Sequence, residues 1–216
     1  MENTFPVKSE LINDLLEAQL KQLLERVAEP VELVCILDDG AKSSGMAALV
    51  NHIASLSEKL SVRFLAPGED AVLDEALDAS LLPATAVGGI RMVFHGVPGG
   101  KEITAFAGAI LNAGAAAKAL DKYTLRDIAK IKNPMKLQLC VSLGCAHCSQ
   151  LVVHAQRIAW ENPNVTAHMI DANLYPELVQ TMDIQRVPLT IINGKDRFYG
   201  GKTMAELTTL LAKYKA

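Results

Sequence analysis

The chain holds no run of about 18 or more consecutive apolar residues, the length a helix needs to cross a bilayer. Its opening residues, Met1–Lys8, carry neither the apolar stretch nor the small-residue cleavage site of a secretory signal. No block of basic residues occurs, and 21 Lys plus Arg against 24 Asp plus Glu leave a formal charge of −3. Such a surface offers a phosphate backbone nothing to follow, so neither nucleic acid nor membrane is expected as a partner, and a cytoplasmic protein is. Cysteine is scarce as well. Four thiols in 216 residues, Cys35, Cys140, Cys145 and Cys148, are too few to staple a secreted domain. At least one pair therefore reads as reactive or metal-binding, in a reducing compartment. With 50% hydrophobic and 21% charged residues the composition is globular, which argues against disorder, collagen-like sequence and low complexity.

What the chain does contain is a repeat. Cys35 and Cys140, Pro83 and Pro188, Thr85 and Thr190, and Gly89 and Gly194 all lie 105 residues apart. A shared offset at four places predicts two copies of one unit, provided the order of elements repeats too. In the first copy, Leu11, Leu15, Leu16, Leu20, Leu23, Leu24 and Val27 give helical spacing over 9–29, ending before Pro30. A strand follows over 31–37, then the Asp38-Asp39-Gly40 turn, a helix over 42–60, a strand over 61–65 and a short helix over 70–77. Strands over 84–87 and 91–95 flank Gly88-Gly89, and an alanine-rich helix over 101–119 closes the copy. The second copy predicts helix 125–132, strand 136–142, helix 146–161, strand 165–170, helix 175–182, strands 189–192 and 197–199, and helix 203–214. Thr203 with Glu206 three residues on is a capping box for the last of these. The order implies an α/β protein of two fused units, residues 1–120 and 121–216, with mixed central sheets flanked by helices and no long polar linker between them.

Gly144-Cys145-Ala146-His147-Cys148 falls where a predicted strand meets a predicted helix. Thiol exchange needs a thiolate, and the free amides and positive dipole end at a helix start favour one. Two intervening residues set the cysteines about one turn apart, so Cys145 is expected to attack and Cys148 to resolve the mixed disulfide. The bland alternatives are a zinc half-site and an inert buried pair. Zinc wants four ligands, yet no second CxxC or closely spaced histidine pair appears, and His147, His154 and His168 are scattered; no metal is expected. Cys35 and Cys140, mid-strand in both copies, read as packing residues. Pro188 opens a strand forty residues after the dithiol, where a cis bond would lie beside the thiols and leave backbone groups free to pair with a peptide. Pro83 holds the same place in the first copy. Subtracting the repeat offset from Cys145 and Cys148 lands on Gly40 and Ser43, so the first copy has no dithiol and is expected to serve as scaffold or docking surface. Trp160, Lys202, Lys213 and Lys215 read as packing or solvated residues.

The CxxC at a strand-to-helix turn, the Val187-Pro188-Leu189-Thr190 strand and the Asn193-Gly194-Lys195 turn resemble the thioredoxin superfamily. More closely, Pro30-Val31-Glu32-Leu33, Leu37 to Ser43, Ser142 to Cys145, Ile170-Asp171 and Ile192 to Lys195 are similar to the N-terminal domain of the alkyl hydroperoxide reductase flavoprotein subunit. The resemblance spans nearly the whole chain and implies two fused thioredoxin-like units with one dithiol. It further implies a redox-active Cys145–Cys148 disulfide as the only redox group and electron flow from a flavin-dependent module to a peroxiredoxin. No G-x-G-x-x-G follows a strand here, so the expected donor is a separate FAD- and NAD(P)H-dependent thioredoxin reductase-like flavoprotein, and the acceptor a peroxiredoxin or another protein disulfide. His147 directly precedes the second cysteine, as in protein disulfide isomerases, where the family has histidine directly after the first; an imidazolium there would favour the Cys145 thiolate and a more oxidising disulfide. Thioredoxins carry a buried aspartate six residues before the first cysteine, where this chain has Leu139. Glu102 matches a glutamate that the resembled domain places near its dithiol, and it reads equally well as a solvated carboxylate at a helix start. An isomerase-like oxidoreductase and a non-catalytic or zinc-holding binding module are the competing readings.

Overall fold

Asn13 opens the first helix by accepting the Leu16 amide at 2.9 Å, so the helix begins after it and the expected start at residue 9 is too early. Ser9 is pinned elsewhere, its amide donating to Nδ1 of His52. The computed structural model describes residues 5–214, which leaves Lys215 outside the described residues. The first half runs α1 (Asp14–Leu24), β1 (Val31–Ile36), α2 (Ala41–Ser55), β2 (Leu60–Leu65), α3 (Ala71–Leu77), β3 (Ala84–Val87), β4 (Met92–His95) and α4 (Glu102–Ala113). The second runs α5 (Lys122–Ile128), β5 (Met135–Val141), α6 (Ala146–Glu161), β6 (Val165–Asp171), α7 (Pro176–Thr181), β7 (Leu189–Ile192), β8 (Asp196–Tyr199) and α8 (Met204–Lys213). From β1 to β4 each element lies at or within a residue or two of the 105-residue offset from its counterpart.

Helix ends depart furthest from the sequence expectation, each for a local reason. α4 stops at Gly114, well short of residue 119, where the chain turns so that the amides of Ala28 and Glu29 donate to the Gly114 carbonyl. α5 starts early because Asp121 accepts the amides of Tyr123 and Thr124. α8 starts on the expected capping box, Thr203 bonding the Glu206 amide and Glu206 the Thr203 amide.

The eight strands form one sheet in the order β2-β1-β3-β4-β6-β5-β7-β8. Each half has the same pairing, a parallel first pair followed by two antiparallel ones. The sheets that the repeat implies are thus joined edge to edge. β4 pairs in parallel with β6 from Met92↔Ala167 to His95↔Ile170. Side-chain alternation then assigns the faces. Leu33 and Cys35 of β1, with Leu137, Leu139 and Val141 of β5, point into a large core shared with α1, α2, α4, α5, α6 and α8. Val34 and Ile36 face a smaller core over α3, and Cys140 one beside the loop after α7. Cys35 and Cys140 are fully buried, and burial pushes both thiols up to about 12.

The join is polar at one point. His95 and His168 stack inside it with Nε2 of His95 3.0 Å from Nδ1 of His168, and Lys136 of β5 reaches across to Asp78 at 3.0 Å. α4 and α6 pack against each other over the same seam. No helix among the described residues is long and apolar enough to cross a membrane.

Candidate active site

β5 ends at Val141, a short loop follows, and Cys145 is the N-cap of α6 with extended backbone, φ −91° and ψ 112°. Its amide donates to the Ser142 carbonyl at 2.9 Å, and its own carbonyl receives the amides of Cys148 and Ser149 at 3.2 and 3.4 Å. That arrangement leaves the Cys145 side chain half-buried at the helix start and places Cys148 one turn on, fully enclosed. All four cysteines are free thiols. Cys148 is pushed up to about 12, first by burial and then by its hydrogen bond with Cys145, with a smaller push from the negative charge of Glu102.

Glu102 comes from the other half. It is the first residue of α4, its side chain is 0% exposed, and neither carboxylate oxygen has a hydrogen-bond partner. The solvated reading is therefore wrong for this residue, because the loop before α4 folds down onto the thiol loop. The Lys101 amide donates to the Leu143 carbonyl at 3.2 Å, and Oγ of Ser149 donates to the Lys101 carbonyl at 2.9 Å. Burial raises the Glu102 carboxyl to about 7, with the charge of Asp171 adding to it. Asp171, at the end of β6, is 1% exposed and is itself raised by burial, although the Asn173 amide donates to it. Sequence reasoning assigned Asp171 no role; the signal was present only as one residue of a family motif, since its approach to Glu102 depends on the β4–β6 join.

The remaining expected residues divide. Both the Val187–Pro188 and Leu82–Pro83 peptide bonds are cis. The β5–β7 register, Cys140↔Leu189, sets Pro188 across from Val141, next to the thiol loop. The copies then differ: the hydroxyl of Tyr175 donates to the Leu82 carbonyl at 3.0 Å, whereas no side chain bonds the Val187 carbonyl. His147 is exposed on the first turn of α6, facing Gly201, and makes no hydrogen bond or ion pair among the described residues. In the first copy, Ser43 occupies the place of the second thiol and donates to Asp38 at 2.6 Å, while the Gly40 amide donates to the same oxygen. Leu139 is fully buried and apolar. Lys213 is exposed, but Lys202 is half-buried, its ammonium donating to the Tyr199 carbonyl. Trp160 packs against the main core with the Arg91 guanidinium over its ring.

A dithiol at a strand-to-helix turn, a cis proline opening the neighbouring strand, and a duplicated unit in one sheet define a tandem thioredoxin-like protein. The family profile described as Thioredoxin domain matches residues 135–212, the half that carries both cysteines. The homologues are alkyl hydroperoxide reductase F subunits, and the part of them to which the chain corresponds is the N-terminal domain. The subunit from Pseudomonas putida is 34% identical over 86% of this chain. The NTD_N/C domain of the AhpF protein from Enterococcus faecalis superimposes with a TM-score of 0.86 at 27% identity, covering 93% of this chain and 99% of that one. A protein disulfide oxidoreductase from Aeropyrum pernix shares the fold, with a TM-score of 0.83 at 19% identity over 94% of this chain and 93% of that one. The chain spans about a third of the length of the curated relatives it matches, 34% for the Pseudomonas putida subunit.

Proposed function

We propose that the chain is a dithiol–disulfide oxidoreductase that relays electrons from a flavin-dependent, NAD(P)H-fed reductase to a peroxiredoxin or another protein disulfide in the cytoplasm. The observation that carries the reading is the asymmetry of the pair, a half-buried Cys145 on the helix start and an enclosed Cys148 behind it. The homologues support a thioredoxin-like redox role; the donor and acceptor are inferred from the named subunit to which they belong.

The steps follow from that asymmetry. The Cys145 thiolate attacks one sulfur of the partner disulfide, a mixed disulfide forms, and the other partner sulfur leaves as a thiolate. Cys148 then loses its proton and attacks Cys145 Sγ, which frees the second partner thiolate and forms the Cys145–Cys148 disulfide. Two electrons pass to the partner. Because Cys148 is held protonated by burial, the second step needs a proton acceptor, and Glu102, balanced near neutral pH, is suited to be it. Pro188 lines the edge on which the partner strand lies, with the Val187 carbonyl left open to it.

A Cys148→Ser variant mixed with oxidised peroxiredoxin is expected to accumulate a mixed disulfide on a non-reducing gel, and Cys145→Ser none; equal trapping by both would overturn the roles. An isomerase-like oxidant is favoured by one observation, the exposed His147 between the thiols. A reduction potential near that of thioredoxins supports the relay, and one about 90 mV higher supports the oxidant.

A further inference from the structure

α4 and α6, which seam the halves together, leave a groove that the redox chemistry does not use. Its first lobe, about 420 Å³, is apolar and lies between α1 and α4, with Leu16, Leu20, Leu23 and Ile103 on its walls. The second, about 340 Å³, continues from it past Gly108, Leu111 and Val153, which line both lobes. Gly108 marks the opening between them: it sits mid-helix, where glycine is a poor choice, and a Cβ there would meet nothing within 4 Å. Together the lobes have the size of a small-molecule site.

The second lobe is polar in an unbalanced way. Arg26, Lys118 and Arg157 line it, and no acidic side chain does. Arg157 is committed, its guanidinium paired with Glu161 at 2.6 Å and donating to Asn112 at 2.8 Å. Arg26 donates one bond to the Ala116 carbonyl, and Lys118 is exposed, so two cationic heads stand at the rim. Gln156 lies on the lining at 1% exposure, and neither its amide nitrogen nor its oxygen has a partner. A buried amide left unpaired costs about 1–3 kcal/mol, which a ligand with a hydrogen-bonding head would recover.

From this geometry we infer that the α4–α6 groove binds an amphipathic organic anion, its unbranched apolar chain lying in the α1–α4 lobe and its carboxylate held at the Gln156 amide between Arg26 and Lys118. The apolar lobe alone would take any greasy chain. The orphaned amide beside unopposed cations selects the anionic head, and the narrow passage at Gly108 selects an unbranched tail.

Calorimetric titration with decanoate, kept below its micelle concentration, tests the assignment against decanol, which shares the tail, and acetate, which shares the head. Saturable binding of one decanoate per chain is expected, with both controls weaker by at least about tenfold. Gly108→Leu fills the passage with no backbone to displace, so it is expected to abolish binding while leaving thermal unfolding unchanged or raised. Should that variant fail to fold, Gln156→Leu with Lys118→Glu replaces it, and loss of decanoate binding is again expected. Absence of decanoate binding, equal binding of decanol, or undiminished binding by the folded variants would overturn the proposal. So would saturable binding of an apolar peptide with a free C-terminal carboxylate where decanoate fails, since that would make the groove a peptide site. Dithiol exchange with a peroxiredoxin provides a separate readout that Gly108→Leu is not expected to change.

Discussion

Cys145 and Cys148 are the same chemical group in different surroundings, and the surroundings assign the roles. Cys148 is 0% exposed and pushed up to about 12, so its thiolate fraction near neutral pH lies roughly three orders of magnitude below that of a free cysteine. Iodoacetamide is therefore expected to label Cys145 first, as read by peptide mass spectrometry, and Cys145→Ser is expected to leave the native protein nearly unlabelled; fast labelling of Cys148 in that variant would refute the burial argument. Glu102 is the other residue whose surroundings decide its chemistry. Its carboxyl, raised from 4.5 to about 7, holds its proton more tightly folded than unfolded. The stability this contributes is full below pH 4.5 and is lost as pH rises through 7. Glu102→Gln is thus expected to be more stable than the parent above neutrality, by up to about 3 kcal/mol in denaturant midpoints, and to slow resolution of the mixed disulfide while changing Cys145 alkylation little.

Between elements, the decisive contact is the loop before α4 lying on the thiol loop. Gly100 makes it possible: its φ of 54° is in the left-handed region, and a Cβ there would stand 2.9 Å from the Leu143 carbonyl oxygen. Gly100→Ala is expected to destabilise by about 1–3 kcal/mol and, by lifting the loop, to open Glu102 to water, lowering its carboxyl back toward the ordinary range. The checks are a thermal melt and the pH dependence of resolution, which should move together. Helix caps are more local. Thr203→Ala removes the capping box of α8 and is expected to cost about 1 kcal/mol in a denaturation experiment, with thiol exchange unchanged.

At the scale of the molecule, one sheet ties both halves into one cooperative body through the β4–β6 pairing and the α4–α6 contact. Fluorescence of Trp160, which reports on the second half, and far-ultraviolet circular dichroism, which reports on both, are expected to share one denaturant midpoint; two separated transitions would contradict the joined sheet. The seam also sets an acid limb. Burial lowers His95 from 6.5 to about 4 and His168 well below its ordinary value, so the neutral pair is favoured in the fold, and stability is lost as pH falls from 6.5 toward 4. Glu102 works in the opposite direction over part of that window. In Glu102→Gln the histidine effect is left unopposed, and stability is expected to fall more steeply on acidification than in the parent, a comparison of denaturant midpoints against pH.

Local chemistry made the dithiol, its helix start, the 105-residue repeat and the strand-opening prolines legible in the chain, because each depends on neighbours within a turn or a strand. α6 and β7 match their expected bounds for that reason: a CxxC start and a four-residue apolar run are complete signals by themselves. Helix ends such as Gly114 were less legible, since partners far along the chain stop them. What only tertiary structure decided is everything that depends on β4 meeting β6. No periodicity marks which edges of two like sheets will join, yet that join carries Asp171 to the site, seats the Gly99–Lys101 turn on Leu143, and turns Glu102 from a helix-start carboxylate into a buried acid beside Cys148. Hydrophobic alternation fixes which way a strand faces, whereas the partner across an open edge is selected by the packing of both halves at once.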